Sequence, residues 1–214
     1  MLDKEAAYYD ANHLLLLLIH YLSGYKNLAG KVLVSFSTTA KIEKICRYYN
    51  LEVIRTRVGF QDASKIMTEE KVLIAGEESG GISVGSSIPE RDAIRSGLTV
   101  LQWLAESGKS LKELYGEVMK ITGPFAYERA NLDLDRNSRN KTFERCSNGS
   151  FDRFGRFEVQ RFEVFDGFKF FFSDNEWLLL RTSGTEPVIR FYAEAETEEI
   201  AQEIIFSGMK AVLE

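Results

Sequence analysis

Cysteine, histidine and proline are all scarce in these 214 residues, and each scarcity removes a class of protein. Two cysteines, Cys46 and Cys146, are too few for a disulfide scaffold and suit a reduced, cytoplasmic protein. Two histidines, His13 and His20, leave no Cys/His cluster of the kind that holds zinc. With only three prolines, 44% hydrophobic and 28% charged residues, the composition is that of a globular chain. Net basic charge is lacking too: the formal charge of -5 excludes the basic stripe of a general nucleic-acid binder. The longest apolar run, "LLLLLI" at 14–19, falls far short of the roughly 20 residues that span a bilayer. Before it stands "MLDKEAAYYDAN", which is acidic where a secretory signal is basic. The expectation is a cytoplasmic protein with neither nucleic acid nor membrane as partner, long enough for one large or two small domains.

Strand and helix patterns alternate in the first part. "DANHLLLLLIHYLSG" reads as a buried helix with Asn12 as N-cap and Gly24 at its end. "KVLVSF", "LEVIRTRVGF" and "KVLIAG" read as strands, and "TTAKIEKICRYYN", "DASKIMTEE" and "RDAIRSGLTVLQWLAESG" as helices between and after them. This order predicts an open α/β/α layered domain with a mixed sheet, whose ligands sit at the carboxyl ends of its strands. After "LKELYGEVMKITGP" the pattern becomes alternating and aromatic, with "FDGF" as a hairpin turn and Thr197 capping a last helix. A smaller α+β domain, an antiparallel sheet packed on helices, is expected there. The boundary is placed between residues 122 and 123. Phe162, Phe165, Phe168, Phe170 and Phe172 are expected in the sheet core, with Trp103 and Trp177 anchoring one domain each.

Two loops carry chemistry. "IAGEESGGI" leaves a strand end with Glu77 and Glu78 adjacent, a poor geometry for a paired acid and base. One carboxylate, Glu77, beside one hydroxyl, Ser79, instead suits vicinal sugar hydroxyls, although an ordinary solvated turn has the same composition. "LLLRTSGTEPVIRFYAE" places Arg181, Ser183, Gly184 and Thr185 in a tight turn, with Arg190 on the returning strand. Hydroxyls, a flexible glycine and two planar guanidiniums suit a phosphate dianion better than a bare solvent hairpin. No Walker or dinucleotide glycine pattern is present, which disfavours nucleotides. "DLDRNSRNKTFE" puts Asp133, Asp135, Asn137 and Glu144 at calcium-loop spacing. Ser138 replaces the required glycine and Arg136, Arg139 and Lys141 crowd the site, so a capped helix start is the better reading.

Together, "GEESGG" and "RTSGTEPVIRFYAE" resemble the sugar-binding and C-terminal phosphate-binding loops of the α-D-phosphohexomutases, the phosphoglucomutase and phosphomannomutase family. "VGFQDASKIM", "IPERDAI" and "SLKELYGEV" fall in the family's order, so the likeness runs along essentially the whole chain. The resemblance implies a sugar-binding third domain over 1–122 and a phosphate-binding fourth domain over 123–214. It implies that Glu77 and Ser79 bind sugar hydroxyls, while Arg181, Ser183, Gly184, Thr185 and Arg190 hold the phosphate that is not being transferred. The implied reaction interconverts hexose 1-phosphate and 6-phosphate, of glucose or mannose, through glucose 1,6-bisphosphate or its analogue. Gln61 and Ala93 depart from common family residues, Lys and Gly.

The family's phosphoserine loop and its magnesium loop, "DGDxDR"-like, do not occur in these residues. The resemblance therefore implies the C-terminal half of a phosphohexomutase, partnered by N-terminal domains that supply the phosphoserine and Mg. This half alone is expected to bind no metal and to be inactive. A stand-alone, non-catalytic sugar-phosphate module is the main alternative. A phosphoglucosamine mutase half is a weaker one, because those enzymes usually carry Gln-Ser where this chain has Glu78-Ser79.

Overall fold

The computed structural model describes residues 1–85, 88–183 and 186–214. They form two compact units, Met1–Gly123 and Pro124–Glu214.

In the first unit, parallel strands β1 (Lys31–Ser35), β2 (Val53–Thr56) and β3 (Val72–Gly76) are joined at the edge by antiparallel β4 (Ile82–Val84), in the order β2-β1-β3-β4. β3 is buried along its whole length, which is why it reads as a continuous apolar run rather than an alternating one. One face of the sheet meets α3 (Gln61–Glu69), where Leu33 and Ala75 pack with Phe60, Ala63 and Met67. The opposite face carries α1 (Ala11–His20), and Leu15 presses on Gly76 so closely that a Cβ there would collide with it. α2 (Lys41–Tyr48) follows β1. α4 (Ala93–Ser107) is capped by Asp92, which accepts from the Arg95 N–H, and is ended by left-handed Gly108. α5 (Leu111–Thr122) opens with a reciprocal capping box between Ser110 and Glu113.

The first helix departs from its sequence reading at both ends. Asp10, not Asn12, is the N-cap: its side chain accepts from the His13 N–H. Asn12 is drawn inside instead, 1% exposed, where its Oδ1 accepts from the backbone N–H of Thr39 at 3.0 Å. Nor does Gly24 end the helix. The chain continues as a π-helical turn, Tyr21–Tyr25, in which Tyr21 stacks on Trp103 at 5.2 Å between centroids.

The second unit is a five-stranded antiparallel sheet: β5 (Ala126–Asp133), β8 (Arg161–Val164), β9 (Phe168–Phe171), β10 (Trp177–Thr182) and β11 (Val188–Ala195), in the order β5-β11-β10-β9-β8. α6 (Arg136–Ser147) begins at Asp135, whose carboxylate accepts from the N–H groups of Asn137 and Ser138. A short hairpin, β6 (Arg153–Phe154) and β7 (Phe157–Glu158), follows it. α7 (Glu198–Leu213), capped by Thr197, packs on the sheet through Gly208, against Leu178 and Phe191. Phe168, Phe170 and Phe172 are buried as expected, and Trp103 and Trp177 are wholly enclosed. Phe162 and Phe165 are exposed, because β8 is an edge strand and Phe165 belongs to its turn. Among the described residues, no helix is long and apolar enough to cross a membrane.

Candidate functional site

Because β1, β2 and β3 run parallel, their carboxyl ends open on one edge of the sheet, and three loops meet there. The first, after β1, is unusually rich in hydroxyls and fully enclosed: Ser35, Ser37, Thr38 and Thr39 show no exposure. Arg55 of β2 holds it, donating to the carbonyls of Ser35 and Thr39 at 3.1 Å, to the Thr38 hydroxyl, and to Glu43. The second loop, after β2, contributes Gly59, whose φ of 110° favours glycine.

The third loop is 77–81. Its backbone closes on itself: the Glu77 N–H donates to the Gly81 carbonyl at 3.0 Å and the Gly80 N–H to the Glu77 carbonyl at 3.1 Å. The adjacent glutamates go to different loops. Glu77, 4% exposed, accepts the Gly59 N–H on Oε1 at 2.6 Å. Glu78 accepts from the hydroxyls of Ser35 at 3.1 Å and Ser37 at 2.5 Å. Ser79 is exposed at the tip. Arg91, just before α4, was not singled out from sequence. Its stem crosses Gly81, its guanidinium lies 5.7 Å from the Phe60 ring centroid, and its Nη1 stands 3.8 Å from Glu77 Oε2. The only sequence sign of this is a glycine at 81, which leaves room for the stem.

The second candidate lies on the β10–β11 hairpin. Arg181 and Arg190 are register partners, so both side chains project from the same face of the sheet. Each is held by a carboxylate: Arg181 Nε donates to Asp166 Oδ2, and Arg190 Nη2 to Glu186 Oε2, both at 2.8 Å. Arg190 Nε is buried with no hydrogen-bond partner among the described residues, a donor still to be satisfied. Ser183, 7% exposed, donates its N–H to the Val188 carbonyl and accepts the Glu186 N–H on Oγ. Gly184 and Thr185 lie outside the described residues. Asp166, read from sequence only as a turn residue, is thus also the partner of Arg181. Among the described residues no cluster of three or more His, Cys, Asp or Glu could hold a metal ion.

One unit thus gathers hydroxyls and carboxylates at the carboxyl ends of its parallel strands, and the other pairs two guanidiniums on a hairpin. The family model for the phosphoglucomutase/phosphomannomutase alpha/beta/alpha domain III matches residues 10–121, and that for the family's C-terminal domain matches residues 145–205. The chain belongs to this family, the α-D-phosphohexomutases. It is 30% identical over 190 residues to a phosphoglucomutase/phosphomannomutase of Thermococcus kodakarensis, covering 88% of this chain and 39% of that one. It is 27% identical over 218 residues to a phosphoglucosamine mutase of Methanococcus maripaludis, covering 99% and 45%. A Thermus thermophilus structure assigned to a phosphomannomutase superposes with a TM-score of 0.76 at 26% identity, covering 95% of this chain and 41% of that one. The chain thus spans less than half the length of these relatives.

Proposed function

We propose that this chain supplies sugar and phosphate recognition to a phosphohexomutase that moves phosphate between the 1- and 6-hydroxyls of a hexose through a bisphosphorylated sugar. Met1–Gly123 is the sugar-binding domain and Pro124–Glu214 the phosphate-binding domain. Glu77 and Ser79 take sugar hydroxyls; Arg181, Ser183, Gly184, Thr185 and Arg190 take the phosphate that stays in place. The observation that carries this reading is the cross-strand pairing of Arg181 with Arg190 beside Ser183, two planar donor forks on one face of a hairpin. A bisphosphorylated intermediate has to be held in two orientations. A cradle of N–H and hydroxyl donors recognises the dianion without reading which carbon bears it.

The phosphoryl donor and its metal belong, in this reading, to the domains that the longer relatives carry in addition. This chain alone binds hexose phosphate and does not turn it over, since phosphoryl transfer depends on positioning and charge neutralisation around both donor and acceptor. An amino-sugar substrate is the second and weaker reading, and residue 78 does not speak against it. Glu78 turns to Ser35 and Ser37, contacts that a glutamine oxygen also makes, so residue 78 does not decide between glucose and glucosamine.

Titration of the ¹⁵N-labelled chain with glucose 1-phosphate, against glucose and inorganic phosphate, tests the proposal. Saturable shifts are expected at the Gly80 and Gly184 amides with the sugar phosphate, and at Gly184 alone with phosphate. Silence at both loops with millimolar ligand, or turnover by the pure chain, would overturn it.

A further inference from the structure

A cavity of about 550 Å³ opens at the amino end of β3, away from the 77–81 loop at that strand's carboxyl end. From Val72 to Gly76 the strand runs about 13 Å between the two. The cavity floor is apolar, made by Leu22, Val72, Leu73 and Val84, all buried. One wall is the segment in which the π-helical turn Tyr21–Tyr25 leads through left-handed Asn27, φ 51°, to Leu28 and Ala29. The Leu28 N–H donates to the Leu22 carbonyl at 2.9 Å and the Ser23 hydroxyl to the Leu28 carbonyl at 3.2 Å, so this wall is fixed by its own hydrogen bonds. Gly30 then lets the chain lie close on β3, since a Cβ there would come 2.8 Å from the Leu73 nitrogen.

The lining carries charge of one sign. Lys26, Lys71 and Arg95 face the cavity and, among the described residues, no carboxylate does, in a chain whose formal charge is -5. The three cations are not equivalent. Lys26 is held by Glu106 at 2.8 Å. Arg95, in the first turn of α4, brings its Nη2 to 3.5 Å from where a Cβ on Gly85 would stand. A cation in that turn opposes the helix dipole, so the helix itself gains nothing from its charge. Lys71 has no ion-pair partner among the described residues, and its neighbour Glu70 pairs with Lys31 instead.

We propose that this cavity is a second ligand site, for a small organic anion with an apolar body: a carboxylate or sulfonate carried on an aromatic ring. The volume suits such a molecule, since ligand pockets run from about 300 to 1,000 Å³. The floor takes the ring out of water, while the anion stays at the rim, where Lys71 and Arg95 meet it without burying a charge. Hexose phosphate fits poorly, because its hydroxyls would give up water to a floor that offers them no partner. The ligand is therefore different from the one proposed for the 77–81 loop, and the inference does not rest on that proposal.

The test titrates the full 214-residue chain with 8-anilinonaphthalene-1-sulfonate, followed by fluorescence, and with its uncharged analogue N-phenyl-1-naphthylamine. Wild type should bind one sulfonate per chain, and glucose 1-phosphate should not displace it. The Lys71→Met/Arg95→Met double variant should weaken the sulfonate about tenfold, the sum of two exposed charge contacts, and leave the uncharged analogue unchanged. Thr99→Trp, which fills the cavity from α4, should abolish binding of both. Circular dichroism melts check that each variant is folded, with Lys71→Gln and Gln102→Trp as second variants of each kind. Sulfonate binding that is unchanged by both kinds of variant, absent from wild type at millimolar probe, or displaced by glucose 1-phosphate would overturn the inference. So would sedimentation showing the cavity closed by a second copy, as a dimer that Thr99→Trp separates.

Discussion

Removing the Glu78 carboxylate should loosen the first unit measurably. Its oxygen accepts two hydroxyl hydrogen bonds, from Ser35 at 3.1 Å and Ser37 at 2.5 Å, and both serines are fully enclosed. In Glu78→Ala each hydroxyl loses its charged acceptor, while the Ser35–Ser37 contact at 3.1 Å survives. Bonds to charged groups are worth about 1.5–3 kcal/mol each, and the surviving contact offsets part of the loss, so a net cost of about 2 kcal/mol is expected. For a unit of this size that lowers the melting temperature by about 6–8 °C. Glu78→Gln keeps an acceptor in place and should cost about 0.5–1 kcal/mol. Thermal unfolding followed by circular dichroism at neutral pH measures both variants, with glucose 1-phosphate titration beside it. Glu78→Ala should also weaken sugar binding, because Glu77 and Ser79 lose their tether to the β1 loop, and should leave phosphate binding alone. A Glu78→Ala melt coincident with wild type would refute the idea that this contact anchors the loop.

Substituting Arg181 or Arg190 by Met should weaken inorganic phosphate and glucose 1-phosphate alike by at least about tenfold, checked by calorimetry or shift titration. Gly167 has a φ of 128°, and an added Cβ would lie 2.6 Å from the Leu180 carbonyl oxygen. Gly167→Ala should therefore destabilise the second unit by about 2 kcal/mol or more, read as a lower midpoint in urea. Glu117 gives a pH test. Burial pushes its pKa up, but hydrogen bonds from Lys109, Tyr25 and His20 outweigh this and bring it down from 4.5 to about 2. A depressed carboxylate contributes stability that is fully present above pH 4.5 and is lost as pH falls towards 2. Glu117→Gln should accordingly be less stable than wild type at about pH 6, with the two converging as the pH approaches 2 in acid melts.

The strands of the parallel sheet could be read from sequence because β1 and β3 are covered on both faces and so appear as unbroken apolar runs. The Asp166-Gly167 turn was legible because backbone geometry there demands glycine. Strand β4 was not, since three residues between glycines offer no periodicity to read. Asn12 misled because a side chain able to cap a helix can equally satisfy a distant backbone N–H, and only the tertiary fold decides which. The π-helical turn at 21–25 carries no pattern distinct from an ordinary helix end. At the candidate sites the residue types of the loops were legible and their wiring was not. Arg91 meets Glu77 from fourteen residues away, and Asp166 meets Arg181 across fifteen, separations that no local spacing rule encodes.

On the phosphate-binding role proposed above, the hairpin arginines also bear on how the chain would meet an anion in salty solution. Arg181 with Asp166 and Arg190 with Glu186 make a group of four with no net charge, in contrast to a bare basic patch. Its field fades quickly with distance, so it neither accumulates chloride nor draws anions in from beyond the Debye length of about 8 Å in physiological salt. In that proposed role, recognition would be an exchange at contact range, with an incoming dianion displacing two carboxylates already seated there. Monovalent anions are poorly placed to do so, and capture should be nearly indifferent to ionic strength.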